Sequence, residues 1–292
     1  VPFLDRMRQL LGDEYAPFLL SYDSPPSVGL RIHTGKLSPR HFQTISPFSL
    51  TPVPGVPEGF LLPPPTRPGK HPYHTAGLYY LQDPAAMTVV ALMDPQPGER
   101  ILDLAAAPGG KATHIAARMQ GQGLFVANDI DAQRANLLAK HLERWGARNA
   151  LILRESPTRL AEYFGAYFDR VLVDAPCSGE GMFRKSASAR DAWRPQLVDD
   201  SAAQQDAMLT AAATLVRPGG MLVYATCTFS PQEDEGTIAR FLQQNPHYTL
   251  LDPPAWEGFS PGRPDWLTPS QRVPHLERAI RLWPHKHSGE GH

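Results

Sequence analysis

The chain carries two cysteines in 292 residues, a net charge of only −1, and no long run of apolar residues. Two cysteines cannot build a disulfide framework, and their turn contexts lack metal-ligand spacing, which suits a reducing cytoplasm. A membrane helix needs roughly 18 or more apolar residues in succession, and no segment approaches that. The opening VPFLDRMRQLLGDEY mixes acids and bases along an amphipathic pattern and does not read as a signal peptide. A near-neutral balance argues against a dedicated nucleic-acid binder. Local counts soften the objection: residues 183–195 carry Arg184, Lys185, Arg190 and Arg194 against Asp191, and the arginines from Arg263 to Arg281 form a second basic stretch. From charge alone the plainer reading of both is a solvated surface.

Proline, in contrast, is abundant at 31 residues, eight of them between Pro52 and Pro72. That stretch predicts an extended connector rather than a helix or a central strand. Before it, Phe3, Leu4, Met7, Leu10 and Leu11 share one helical face, and VGLRIHT reads as a strand, enough for a small accessory α+β domain over residues 1–72. Beyond it, residues 73–292 form the second expected domain. From residue 99, short apolar runs alternate with helical ones: ERILDLAAA, KATHIAARMQ, GLFVANDI, DAQRANLLAKHLERWG, NALILRE, FDRVLVDA, a helix over 201–216, GGMLVYATC and EDEGTIARFLQQN. This alternation predicts an α/β fold, a mostly parallel sheet with helices on both faces, whose ligands bind at the carboxyl ends of the strands. Both cysteines fall there, in DAPCSGEG and YATCTFSP.

After the first strand, LDLAAAPGGKAT (102–113) is a Gly-rich turn opening a helix, where backbone N–H groups face a ligand. A phosphate-binding P-loop is excluded, because Ala105 stands at its first glycine and Ala112 at its hydroxyl position. The dinucleotide pattern G-x-G-x-x-G is absent as well. Asp103 precedes the turn, and Asp129, about 20 residues after it at the second strand's end, is placed to bind ribose hydroxyls. That combination suits S-adenosylmethionine, which has an adenosine but no pyrophosphate. The plainer alternative is a Pro-Gly-Gly turn that only starts a helix.

Four segments, AAAPGGK, DAPCSGEGMFRK, YATCTFSPQEDE and RLWPHKHSGEGH, resemble the signatures of the Sun-type RNA (cytosine-5)-methyltransferases, most closely the bacterial 16S rRNA (cytosine-5)-methyltransferase F branch. GLYYLQDPAAM at 77–87 is similar to the segment before the cofactor domain in this family. The resemblance spans nearly the whole chain. It implies a Rossmann-like class I methyltransferase fold with an N-terminal RNA-binding domain, and S-adenosylmethionine as cofactor. It also implies cofactor contacts from Ala105, Ala106, Ala107, Pro108, Gly109, Gly110, Lys111, Asp129, Arg134, Ser156 and Asp174. Ser156 enters because LRESP stands where the family has an acid after the third strand. LRIHTGK likewise replaces the usual Arg-Val-Asn-Thr of the accessory domain.

Carbon 5 of cytosine is a poor nucleophile until a thiolate adds to carbon 6, and a second group must then assist loss of the C5 proton and expulsion of the thiol. Two thiols match that need. The residues alone leave open which attacks: the Pro-Cys thiol attacks in DNA enzymes, pointing to Cys177, and the Thr-Cys thiol attacks in the resembled RNA family, pointing to Cys227. The resemblance implies Cys227 as nucleophile, Cys177 in product release, Asp174 on the N3/N4 edge of the base, and Lys111 on base or ribose. The plainer fate of both thiols is burial as small hydrophobes.

His285, His287 and His292, or His71 with His74, lack the Cys or carboxylate that would complete a metal site, and the chemistry needs no metal. Glu233, Asp234 and Glu235 are expected to favour the N-terminus of the following helix. The expected partner is RNA, namely 16S rRNA or the 30S subunit, bound by a cytoplasmic monomer without membrane or metal. The same chemistry on tRNA, or a non-catalytic role in ribosome assembly, are the alternatives. The start at Val1 and the stop at GEGH, where relatives continue, suggest a piece of a longer chain.

Overall fold

A computed structural model describes residues 2–292; Val1 lies outside the described residues. In chain order the elements begin with helices α1 (Pro2–Leu11) and α2 (Tyr15–Leu20), strand β1 (Val28–Ile32), α3 (Pro39–Ile45), β2 (Thr51–Val53) and β3 (Val56–Leu62). Then come α4 (Pro72–Thr75), β4 (Tyr79–Leu81), α5 (Pro84–Met93), β5 (Arg100–Asp103), α6 (Gly110–Met119), β6 (Leu124–Asn128) and α7 (Ala132–Trp145). The remainder are β7 (Ala150–Leu153), α8 (Pro157–Phe164), β8 (Phe168–Asp174), α9 (Ala187–Ala192), α10 (Pro195–Leu215), β9 (Val216–Ala225), α11 (Glu235–Gln244), β10 (Phe259–Pro261) and β11 (Ile280–Leu282). Among the described residues no helix is long and apolar enough to cross a membrane.

The packing divides the chain into two interleaved units. The larger comprises Ser27–Ala175 and Met208–Ala225; the smaller combines the N-terminal stretch through Pro26 with Pro176–Ala207 and Thr226–His292.

In the larger unit β5 to β9 form a five-stranded sheet, ordered β7-β6-β5-β8-β9 and parallel throughout, as the alternation of the sequence implies. The order reverses between β5 and β8, which opens a crevice at the carboxyl ends of those strands. Ile101, Phe125 and Leu172 are fully buried in the core that α5, α6 and α7 cover with Val90, Ile115 and Leu138. A second sheet, antiparallel and ordered β2-β3-β1-β4, buries Leu30, Ile32, Phe60 and Tyr79 against Phe42 of α3.

The Pro-rich connector is therefore partly strand, and β3 is a central one, contrary to the expectation from its prolines. Pro52 lies on the edge strand, and Pro57 lies beyond the rungs that β3 shares with β1, which run from Gly59 to Leu62. Neither position requires a ladder N–H on the inner side, so proline costs nothing there. The sheet is completed by β4, after residue 72, so a boundary at 72/73 would cut off the strand that closes it.

The smaller unit is built on aromatic packing: Phe3 and Met7 of α1, Phe18 of α2, Phe183, Phe229 and Trp283 form its core, with Phe229 and Trp283 stacked at 4.9 Å between centroids. Its C-terminal segment is tied in by main-chain bonds, Leu282 N to His292 O at 2.7 Å and Gly291 N to Gly181 O at 3.2 Å. No Cβ fits at Gly291, where it would meet the Phe229 ring at 2.1 Å.

Candidate active site

The Gly-rich turn leaves β5 at the crevice and enters α6. Ala106 N donates to Asn128 O at 2.8 Å, and Ala107 N donates to Asp129 Oδ2 at 3.3 Å, so the turn is fastened to the end of β6. Arg134, on the first turn of α7, reaches back to Ala107 O at 2.7 Å and lies 3.3 Å from Asp129 Oδ2. Gly109 adopts φ +116°, a conformation that favours glycine, and Thr113 Oγ1 donates to its carbonyl at 2.7 Å. Lys111 Nζ donates to Asp174 Oδ2 at 2.8 Å, joining the start of α6 to the last residue of β8. Ala105, Ala106, Ala107, Pro108, Gly109, Gly110, Lys111, Asp129, Arg134 and Asp174 thus cluster at the carboxyl ends of β5, β6 and β8. Ser156 stands apart from these bonds: its hydroxyl accepts from Arg159 N and caps α8.

Asp103 is the buried acid of this cluster. Its Oδ1 accepts from Ala105 N at 3.3 Å, while its buried Oδ2 has no hydrogen-bond partner among the described residues. Burial, with the neighbouring carboxylates of Asp174 and Asp129 adding to it, pushes the Asp103 carboxyl up to about 8.

Arg31 of β1 supports the turn from behind, a residue that sequence reasoning passed over as part of an ordinary strand. It is fully buried; its Nη2 donates to Thr113 Oγ1 at 2.7 Å and Gly110 O at 3.2 Å, and its Nε donates to Gln82 at 2.9 Å. Burial lowers this guanidinium to about 9. A buried cation on a strand followed by His-Thr was the available signal.

In the smaller unit, Cys177 Sγ and Cys227 Sγ lie 3.3 Å apart, both free and half-buried. Cys177 follows the end of β8 by three residues and Cys227 the end of β9 by two. Cys227 N donates to Cys177 Sγ at 3.3 Å. The hydrogen bond with Cys227 Sγ, burial and the charge of a Cys227 thiolate together hold the Cys177 thiol well above its ordinary range.

Two expectations for this unit are refined. Glu235 lies in the first turn of α11 and Glu233 precedes that helix, but both are buried and bound elsewhere. Glu233 accepts from Ser178 N at 2.8 Å, and Glu235 pairs with the buried Arg281 at 2.5 Å. Asp234 bonds Thr226 Oγ1 at 2.7 Å and offers α11 no side-chain cap. The basic stretches are spent internally only in part, since Arg190, Arg194 and Arg272 are exposed. Arg184 pairs with Glu290 at 3.1 Å with its side chain 7% exposed, while Arg263 pairs with Asp265 at 2.7 Å and Arg278 with Asp252 at 2.9 Å. Lys185 remains exposed. Among the described residues no group of three or more His, Cys, Asp or Glu side chains is arranged to hold a metal ion, and His285 faces Glu14 at 3.3 Å.

Comparison with known proteins divides the chain differently, between residues 84 and 90. Residues 90–292 match the family described as 16S rRNA methyltransferase RsmB/F, and residues 1–84 match the N-terminal domain of 16S rRNA methyltransferase RsmF. The chain is similar to ribosomal RNA small subunit methyltransferase F of Erwinia tasmaniensis, 38% identical over 265 residues, 86% of this chain and 55% of the relative. It is 32% identical over 300 residues to the protein of that name from Pectobacterium carotovorum, covering 99% of this chain and 60% of the relative. The chain therefore spans little more than half the length of these curated relatives. A crystal structure of a methyltransferase homolog protein from Pyrococcus horikoshii superposes with a TM-score of 0.83 at 28% identity, covering 98% of this chain and 91% of that one. NSun6 from Pyrococcus horikoshii with SFG shares the fold, with a TM-score of 0.83 at 20% identity over 99% of this chain and 95% of that one.

Proposed function

The chain belongs to the 16S rRNA methyltransferase RsmB/F family, on its F branch, and from that premise we propose that it methylates carbon 5 of cytosine in 16S rRNA, using S-adenosylmethionine and a covalent adduct on Cys227. The observation that carries the reading is the thiol pair, two sulfurs 3.3 Å apart in a chain with no other cysteine.

The residues of the larger unit fit the cofactor. The methyl donor is a cation, and the turn gathers Asp103, with an unpartnered buried oxygen, together with Asp129 and Asp174 against Lys111 and Arg134. Asp129 would hold the ribose hydroxyls, and the turn from Ala105 to Gly110 would lie along the ligand. When bound, the cofactor supplies an electrophilic methyl group on a sulfonium. Ser156 is the proposed contact to the adenine edge.

The thiols divide the work. Cys227 adds to carbon 6 as the thiolate, and the electron pair displaced from the 5,6 double bond makes carbon 5 the nucleophile that takes the methyl group. Asp174 holds the N3/N4 edge of the base, and Lys111, paired with Asp174, contacts base or ribose. Loss of the C5 proton then returns the electrons to the 5,6 bond and expels the Cys227 thiolate. Cys177 assists at this stage for a physical reason. Two of the four influences that hold its proton come from Cys227 itself, the others being burial and the Glu233 carboxylate. Once Cys227 is a thioether its influence is gone, so Cys177 can give its own proton to solvent and, as the thiolate, take the C5 proton. The reading requires RNA as partner and a single chain, which supplies both thiols and the cofactor turn.

The test is direct. The purified chain, incubated with unmodified 16S rRNA or 30S particles and methyl-labelled cofactor, should yield labelled 5-methylcytidine after nuclease digestion. Label in any other nucleoside, or none with either substrate, overturns the assignment.

A further inference from the structure

Glu233 lies six residues beyond Cys227 and is fully buried. Its Oε2 accepts from Ser178 N at 2.8 Å and from Gln205 Nε2 at 3.1 Å. Its Oε1 accepts from Ser178 Oγ, and from Thr228 Oγ1 at 3.2 Å. The two hydroxyls are themselves 2.7 Å apart. Ser178 directly follows Cys177, and Thr228 directly follows Cys227. Gln205 also donates to Pro176 O at 2.9 Å, the residue before Cys177. One carboxylate therefore binds the residue after each thiol and, through Gln205, the residue before the first.

We propose that Glu233 is a positioning residue that sets the separation of the Cys177 and Cys227 sulfurs; its importance for turnover rests on the roles given to the thiols above. Without the side chain, buried N–H and O–H donors at both turns lose their shared acceptor, which is costly enough to make the turns relax apart. The position needs acceptors and shape rather than charge. A glutamine amide oxygen can take the two N–H donors while its NH2 group donates to the two hydroxyls. Burial already raises the Glu233 carboxyl above its ordinary range, in keeping with a site that tolerates a neutral group.

Thiol–disulfide exchange on the full chain tests the clamp without RNA. Equilibration with glutathione converts two protein thiols and one glutathione disulfide into a protein disulfide and two glutathione thiols. Its equilibrium constant, in molar units, is the effective concentration of one thiol at the other. Glu233→Ala should lower this value by about tenfold or more, whereas Glu233→Gln should stay within about threefold of the parent. Ser178→Ala and Thr228→Val, which each remove one hydroxyl and keep Glu233, should fall between, and they carry the test if Glu233→Ala does not fold. With RNA, Glu233→Ala should also retain more covalent adduct than Glu233→Gln, because Cys177 no longer sits beside Cys227. An effective concentration unchanged in all the folded variants, or an equal loss in Glu233→Gln and Glu233→Ala, overturns the proposal. If the parent neither methylates RNA nor forms an adduct, the proposed chemistry fails while the exchange measurement still decides the clamp.

Discussion

Lys111 Nζ and Asp174 Oδ2 are 2.8 Å apart, with the lysine side chain only 11% exposed, so the first helical turn after the Gly-rich loop is held to the end of β8 by a sheltered ion pair. Neither charge is a spare surface group. Lys111→Ala would leave the Asp174 carboxylate without its ion-pair partner and Asp103 without a neighbouring cation. Methyl transfer should fall by on the order of 10² to 10³ in kcat, as when a single preorganised electrostatic group is removed. The measurement is single-turnover formation of 5-methylcytidine, with the thermal midpoint as control. An unchanged kcat with only a raised KM would reduce Lys111 to a general RNA contact.

Asp103 supplies a prediction with a definite sign. Its folded value of about 8 stands above the ordinary 3.8, so between those values the folded chain holds a proton that the unfolded chain has lost. The contribution to stability is full below about pH 4 and is lost as pH rises toward about 8. Asp103→Asn keeps the shape and removes the titration. The difference in unfolding free energy, parent minus variant, should therefore decline with pH across that window, by at most about 1.4 kcal/mol per pH unit, and level off above it. Urea midpoints at a series of pH values would show this. A difference that is flat, or that grows with pH, refutes the assignment. Binding of a cationic cofactor should release protons near neutral pH, since it favours the carboxylate form.

The parallel sheet and the Gly-rich turn at the carboxyl end of β5 were legible because they depend on local pattern: apolar runs of strand length, helical periodicity, and a Pro-Gly-Gly turn opening a helix. What stayed hidden depends on contacts distant in sequence. Arg184 looks like part of a basic patch until Glu290, 106 positions later, is seen to pair with it. Glu233 looks like a helix-terminal acid until Ser178, 55 positions earlier, is seen to share its oxygens. The strand β3 was masked by prolines whose positions relative to the hydrogen-bond ladder are fixed only by pairing. The assembly of the smaller unit from three separated segments has no local signal at all.

That difference separates two neighbouring cations. Lys185 is exposed, and Arg184 is bound to Glu290, whose side chain is fully buried. Lys185→Ala should weaken RNA binding and reduce the salt slope by about 0.7 if it meets one phosphate of a single strand. Arg184→Ala should instead cost stability, by about 3–5 kcal/mol, because it strands a buried carboxylate. Filter binding across a salt series and denaturant unfolding distinguish the two. If Arg184→Ala changes the salt slope and leaves stability untouched, the arginine faces RNA after all.

The thiols give the sharpest contrast. A cytosine stacked in a helix is out of reach, so the target must be unpaired or flipped out, at a few kcal/mol, before either sulfur meets it. In the proposed mechanism the adduct formed by addition and methyl transfer persists until the C5 proton leaves. Cys177 Sγ, 3.3 Å from Cys227 Sγ, is the proposed acceptor of that proton. Cys177→Ala should therefore accumulate a covalent protein–RNA complex that survives denaturing electrophoresis. Cys227→Ala should form none, and the double variant should behave like Cys227→Ala, because a defect in release cannot show before addition has occurred. An adduct trapped by Cys227→Ala and abolished by Cys177→Ala would reverse the two roles, with the Pro-Cys thiol attacking. A Cys177 thiol held well above its ordinary range by the hydrogen bond with Cys227 and by burial is in keeping with a role after addition rather than in it.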